Sequence, residues 1–106
     1  MKIINDNEFK TVVEKSEKPV VIDFFTNWCP PCKMLGPVME KIAEEYKDKI
    51  EFIKMDLDEC PNTGNTFAVD RIPTVIFLSN GKPKSSFVGF KEEAEIKIWL
   101  ENNLSK

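Results

Sequence analysis

An apolar run, Val20-Val21-Ile22-Asp23-Phe24-Phe25, leads through Thr26-Asn27-Trp28 into Cys29-Pro30-Pro31-Cys32-Lys33, and no other stretch constrains the chain as much. A run that is apolar at all but one position reads as a central strand covered on both faces. Beyond Cys32, Leu35, Val38, Met39, Ile42, Ala43 and Tyr46 hold helical spacing. Pro31 suits a helix's first turn, because its missing N–H would be unpaired there anyway. The cysteine pair therefore stands where a strand hands over to a helix. Helix starts leave backbone N–H groups without partners and favour negative charge. The thiolate is such a charge, and it is the reactive form of cysteine. Cys29, at the helix start, reads as the exposed attacking thiol, and Cys32, inside the first turn, as the resolving one.

Alternatives remain at the level of the pair: a structural disulfide, or half of a zinc site. Zinc usually takes four N/S ligands, and only Cys60 is left, with no histidine in the chain. An odd cysteine count argues against a disulfide-stapled scaffold and for one working pair plus a spare. Cys60 itself reads as a partly buried small apolar residue, with a regulatory thiol as the sharper alternative. Histidine-based catalysis and histidine metal sites are excluded. Net charge is −3 with no basic tract, which leaves nucleic acid a poor partner. No stretch approaches the roughly 20 apolar residues of a membrane span. Met1 to Glu8 turns polar too early for a secretory signal, so a cytoplasmic location is expected. The length suits a single domain over 1–106.

The remaining pattern alternates strands and helices. Lys2-Ile3-Ile4 is a short strand, and Asn5 with Glu8 has capping-box spacing for a helix carrying Phe9, Val12 and Val13. Gly36-Pro37 predicts a kink rather than a stop, since the apolar period continues in phase beyond it. Ile50 to Asp56 is a strand, and Asp58 to Asn62 a turn into a short helix holding Gly64. Thr74 to Leu78 and Ser85 to Val88 are strands joined at Asn80-Gly81. A last helix covers Glu92 to Asn103. The order β-α-β-α-β-α-β-β-α describes an α/β sandwich. Within it Asp23 is anomalous: a buried carboxylate must keep a proton or find a partner, unless it faces solvent.

Asp23-Phe24-Phe25 followed by Trp28-Cys29-Pro30-Pro31-Cys32-Lys33 resembles the active-site segment of the thioredoxin family. Ile72-Pro73-Thr74, Asn80-Gly81 and Val88-Gly89 fall at further landmarks of that family, and the likeness runs from Ile3 to Leu104. It implies a thioredoxin fold, a five-stranded mixed β-sheet flanked by four α-helices. It also implies a protein disulfide reductase that uses Cys29 and Cys32, needs no cofactor and is re-reduced by a thioredoxin reductase. Its other partners would be oxidised substrate proteins, with no nucleic acid or membrane, and the protein is expected to be monomeric. Asp23 becomes a general base for Cys32, through water and with a raised pKa, and Lys54 moderates its charge. Pro73 becomes a cis proline facing the cysteines. Trp28, Pro30, Pro31, Ile72, Pro73, Val88 and Gly89 become the substrate-binding surface, made bulkier by Phe90. The Pro-Pro pair departs from the Gly-Pro common in bacterial members. Proline at 30 removes a donor near the thiolate and stiffens the loop. Rival readings are a disulfide oxidase or isomerase on the same fold, and a binding module with idle cysteines.

Overall fold

The computed structural model describes residues 1–105. Five strands, β1 (Lys2–Ile3), β2 (Val20–Phe25), β3 (Glu51–Asp56), β4 (Thr74–Ser79) and β5 (Lys82–Val88), form one sheet in the order β1-β3-β2-β4-β5. The β1–β3 and β3–β2 pairs are parallel, while β2–β4 and β4–β5 are antiparallel. Three α-helices, α1 (Pro30–Tyr46), α2 (Pro61–Thr66) and α3 (Glu93–Leu104), accompany a helical stretch near the N-terminus. This is the expected mixed sheet with four helices.

Strand period 2 divides the core. Val21 and Val75 face one side with Leu35, Met39 and Ile42 of α1 and Ile96 and Leu100 of α3. Val20, Ile22, Phe24 and Ile76 face the other side with Val13 and Cys60. Asp23 follows the phase of Val21. Its side chain therefore lies on the α1 side of the most deeply buried strand, behind the start of that helix.

The first helical stretch departs from a regular α-helix. The Asn5–Glu8 capping box is present, but it opens a 3₁₀ turn, Asp6–Glu8, which runs into a π-helical Lys10–Glu14. Thr11, Val12 and Val13 are consecutive β-branched residues, which lose side-chain freedom in an α-helix. The wider turn closes with the Lys15 N–H on the Lys10 carbonyl at 3.2 Å. Pro37 lies inside α1 without ending it. At the β4–β5 hairpin, Asn80 and Gly81 have φ of 54° and 77°, the two left-handed residues that a tight two-residue hairpin turn requires.

α2 is held at both ends by contacts from elsewhere in the chain or from unusual residues. Its first N–H groups are taken by Asp6, 56 and 57 positions away: the carboxylate accepts from Asn62 and Thr63 N–H at 3.0 Å each and from the Thr63 hydroxyl at 2.6 Å. At the other end, the Ala68 N–H donates to the Asn65 carbonyl and the Val69 N–H to the Gly64 carbonyl. That is a Schellman closure, and Ala68 takes the left-handed position at φ 53° where glycine is usual. Gly64 leaves room for a neighbour: a Cβ there would meet Leu57 Cδ1 at 2.5 Å, so that side chain would have to shift.

Candidate active site

Cys29 is the N-cap residue of α1, and its sulfur accepts the Cys32 N–H at 3.2 Å. Pro30 and Pro31 occupy the first two helical positions and have no N–H to offer. Cys32, at the third, is therefore the first residue of the helix able to donate to that sulfur. The two cysteines are joined in a disulfide with a Cα–Cα separation of 5.2 Å. Helix geometry and redox ring are thus one construction, in which the sulfur of Cys29 stands where the helix start favours negative charge. The pair is less exposed than an attacking thiol was expected to be. Cys29 is 3% exposed and Cys32 6%, because the N-cap turns the Cys29 sulfur inward onto the Cys32 N–H.

Asp23 is 1% exposed, and its Oδ1 has no hydrogen-bond partner among the described residues. Burial pushes its carboxyl up to about 6; the Lys54 ammonium draws it down and the Glu40 carboxylate pushes it up further. Lys54 is the register partner of Asp23 on β3, and its ammonium lies over the Phe25 ring, 4.7 Å from the centroid. The solvent-facing alternative for Asp23 is therefore excluded.

A cleft of about 390 Å³ opens beside the disulfide, lined by Thr26, Cys32, Lys33, Gly36, Glu40 and Lys54 among others. Neither Thr26 nor Glu40 was singled out from the sequence. Glu40 is on the exposed side of α1 and also reaches the cleft. Thr26 gave no periodic signal, since it lies just past the end of β2.

The remaining site residues gather at the same end of the sheet. The Phe24↔Thr74 pairing of β2 with β4 puts the segment before Thr74 beside the segment that carries the cysteines. The Ile72–Pro73 bond is cis. The Gly89 N–H donates to the Pro73 carbonyl at 2.9 Å, with Gly89 at φ 89°, and Val88 pairs with Thr74. The Thr74 hydroxyl donates to the Arg71 carbonyl, closing the loop before the proline. Trp28 is 68% exposed, and its indole N–H donates to Asp58 Oδ2 at 2.9 Å. In the sequence Asp58 is only a turn residue; in the fold it holds the Trp28 indole. Pro30, Val88 and Phe90 are exposed, Pro31, Ile72 and Gly89 are half-buried, and Pro73 is buried. Cys60, by contrast, is fully buried under the opposite face of the sheet.

A reversible cysteine pair capping a helix at the carboxyl end of a central strand defines a dithiol–disulfide oxidoreductase. A family model described as Thioredoxin matches residues 1–102. The chain is 41% identical to a thioredoxin of Acidithiobacillus ferridurans over 95% of its own length and 94% of that protein. It is 36% identical to a thioredoxin of Rickettsia typhi, covering 95% of this chain and 96% of the other. A chloroplastic M-type thioredoxin of Pisum sativum is 38% identical over 95% of this chain and 59% of that longer protein. The chain belongs to the thioredoxin family, and its redox-active pair is Cys29–Cys32.

Proposed function

We propose that the chain, as a single domain over 1–106, reduces disulfides of other proteins in the cytoplasm and is re-reduced by a thioredoxin reductase. The observation that carries this is the Cys29 sulfur at the N-cap of α1, accepting from Cys32 N–H and bonded to the Cys32 sulfur. In the reduced protein, Cys29 thiolate attacks one sulfur of a substrate disulfide and forms a mixed disulfide, expelling the other sulfur as a thiolate. Cys32 then attacks the Cys29 sulfur, closes the Cys29–Cys32 bond and releases the second substrate thiolate. Two electrons have moved from the dithiol to the substrate, and no bound cofactor enters the sequence.

Asp23 is the general base that takes the Cys32 proton. A carboxyl titrating at about 6 is ionised at neutral pH and still basic enough to hold a proton briefly, which is the compromise that efficient general bases strike. Lys54 keeps it from rising further. Trp28, Pro30, Pro31, Ile72, Pro73, Val88 and Gly89 form the docking surface, and Trp28 and Val88, both at least half exposed, supply its apolar area. A monomer suffices for this chemistry, because the pair and its base lie in one chain. A compartment whose thiols are kept reduced is where such a carrier works.

The test is a redox titration of the Cys29–Cys32 pair against a defined dithiol buffer. A midpoint more reducing than the cytosolic glutathione pool is expected of a general reductase. A clearly more oxidising midpoint would assign the chain to disulfide formation or isomerisation instead. No reversible two-electron transition would leave a binding module with idle cysteines.

A further inference from the structure

We infer that Thr26 is a positioning residue for the second half of the exchange: its hydroxyl holds the solvent bridge through which Asp23 takes the proton of Cys32. The inference rests on the reading of Asp23 as the base. It begins from two buried oxygens without partners. Thr26 is 2% exposed and Asp23 1%, and neither Thr26 Oγ1 nor Asp23 Oδ1 has a hydrogen-bond partner among the described residues. Such groups are rare in folded proteins because each forfeits hydration without recovering a bond. Here they occur three residues apart, at the carboxyl end of one strand, where the chain turns toward the cysteines.

Thr26 and Cys32 line the same cleft, with Lys54, the register partner of Asp23, on its wall. The cleft is open beside Gly36, where a Cβ would have no neighbour within 4 Å. A solvent molecule holds its place in a protein when it has two to four polar partners. In the inferred bridge the partners of that solvent molecule are the two orphaned oxygens, Asp23 Oδ1 and Thr26 Oγ1, and the sulfur of Cys32, which lines the cleft with Thr26. No other reading of Thr26 uses its oxygen: its neighbour Asn27 already donates to Asp56, and a valine would fill the same volume.

In the step itself, Asp23 carboxylate receives the proton of the Cys32 thiol through the bridging water, whose own proton moves on as the new one arrives. The Cys32 thiolate attacks the Cys29 sulfur of the mixed disulfide. The Cys29–Cys32 bond forms, the Cys29–substrate bond breaks, and the substrate sulfur leaves with the electron pair. The proton on Asp23 returns to solvent through the cleft. The charged groups bearing on Asp23 are Lys54 of β3 and Glu40 of α1, with Lys33 of α1 also on the cleft wall. Glu40 is itself ion-paired with the Met1 ammonium at 2.7 Å.

Mixing the reduced full chain with a chromophoric aromatic disulfide in a stopped-flow instrument resolves two thiol releases, one for attack by Cys29 and one for resolution by Cys32. Thr26→Val is expected to slow the second release about tenfold, the loss of one working hydrogen bond, and to leave the first unchanged. Thr26→Ser, which retains the hydroxyl, restores it. Asp23→Asn slows the second release by about 100-fold and removes its rise with pH through about 6, the value at which Asp23 titrates. Thr26→Val added to Asp23→Asn then costs nothing more, because both act on one proton. Wild-type resolution in Thr26→Val, or full additivity with Asp23→Asn, overturns the role of Thr26 and leaves the base in place. An unchanged pH profile in Asp23→Asn removes the base, and Thr26 with it. Should Thr26→Val not fold, Thr26→Ala against Thr26→Ser makes the same comparison.

Discussion

Two helices in this protein begin with cysteine followed by proline, and only one of them is an active site. Cys29-Pro30 starts α1 and Cys60-Pro61 starts α2. At α1 the cysteine sulfur is itself the cap, accepting a helix N–H. At α2 the cysteine caps nothing; Asp6 takes the N–H groups instead. The Cys60 S–H points to the Ile4 carbonyl at 3.7 Å. Burial pushes that thiol up to about 11, and the nearby carboxylates of Asp6 and Asp56 add to the effect. A helix start activates a thiol only where the sulfur is the group that the helix uses. Where another anion has taken the donors, the same dipeptide is inert core.

The largest expected difference follows at once. Cys29→Ser abolishes disulfide reduction, because a hydroxyl forms no disulfide, while Cys60→Ala leaves turnover with a disulfide-bonded test protein unchanged. In the folded chain, a thiol alkylating agent at neutral pH should modify reduced Cys29 and spare Cys60, read by mass spectrometry of the two peptides. Rapid native labelling of Cys60 would end the comparison by showing that the second helix start is reactive too.

Each helix start also has its aspartate, and the two carboxylates are tuned in opposite directions. Asp23 is raised to about 6 by burial. For Asp6, burial pushes upward but is outweighed by the hydrogen bonds from the Thr63 hydroxyl, the Thr63 N–H and the Asn62 N–H, which hold it below its ordinary value. The native state therefore binds the Asp23 proton more tightly than the unfolded chain does. Stability from this group falls as pH rises from about 4 to about 6 and stays low above that. Asp23→Asn removes the penalty, so the variant gains about 3 kcal/mol at pH 7 and almost nothing at pH 4. Asp6 works the other way. Its contribution is present above its unfolded pKa and is lost as pH falls through its lower folded one. Asp6→Ala costs about 1–2 kcal/mol at pH 7, in line with other helix caps, and the cost shrinks in acid. Denaturant melts of the oxidised proteins across pH check both signs. A stabilising Asp23→Asn that also slows exchange would show that the site keeps an unfavourable buried charge for its chemistry.

Much of this contrast was legible in the sequence, and the part that was not has a common cause. The strand-to-helix placement of Cys29 and Cys32, the odd acid at Asp23 and the hairpin at Asn80-Gly81 are local patterns, readable from period and spacing. The capping of α2 by Asp6 is not local: the partners lie 56 and 57 residues apart, and Asp6 looks from the sequence like an ordinary first-turn acid. Glu40 shows the same limit. Its helical phase is that of an exposed residue, which it is, but only the packing of α1 over β2 brings its charge to bear on Asp23. Thr26 lies where the strand period has ended and the helical one has not begun, so no pattern assigned its side chain a direction. The burial of Cys29 is not legible either, because spacing places a cysteine at a helix start without saying which way its sulfur turns.

The smallest effect tests whether α2 is scaffold alone. Its last turn closes through Ala68 at φ 53°, a conformation that costs an L-residue about 1–2 kcal/mol. Glycine carries no such penalty but loses about 0.5–1 kcal/mol more conformational entropy on folding. Ala68→Gly should therefore stabilise the protein by about 0.5–1 kcal/mol, seen as a higher denaturant midpoint at unchanged slope. Both releases in the stopped-flow exchange should keep their rates, because the motif that Gly replaces touches neither sulfur. The chain runs only from Ala68 to Ile72 before reaching the cis proline beside the active site. If the variant is more stable but slower at the first release, the two helix starts are coupled through that segment. The α2 region would then belong to the substrate-facing surface, not to the frame beneath it.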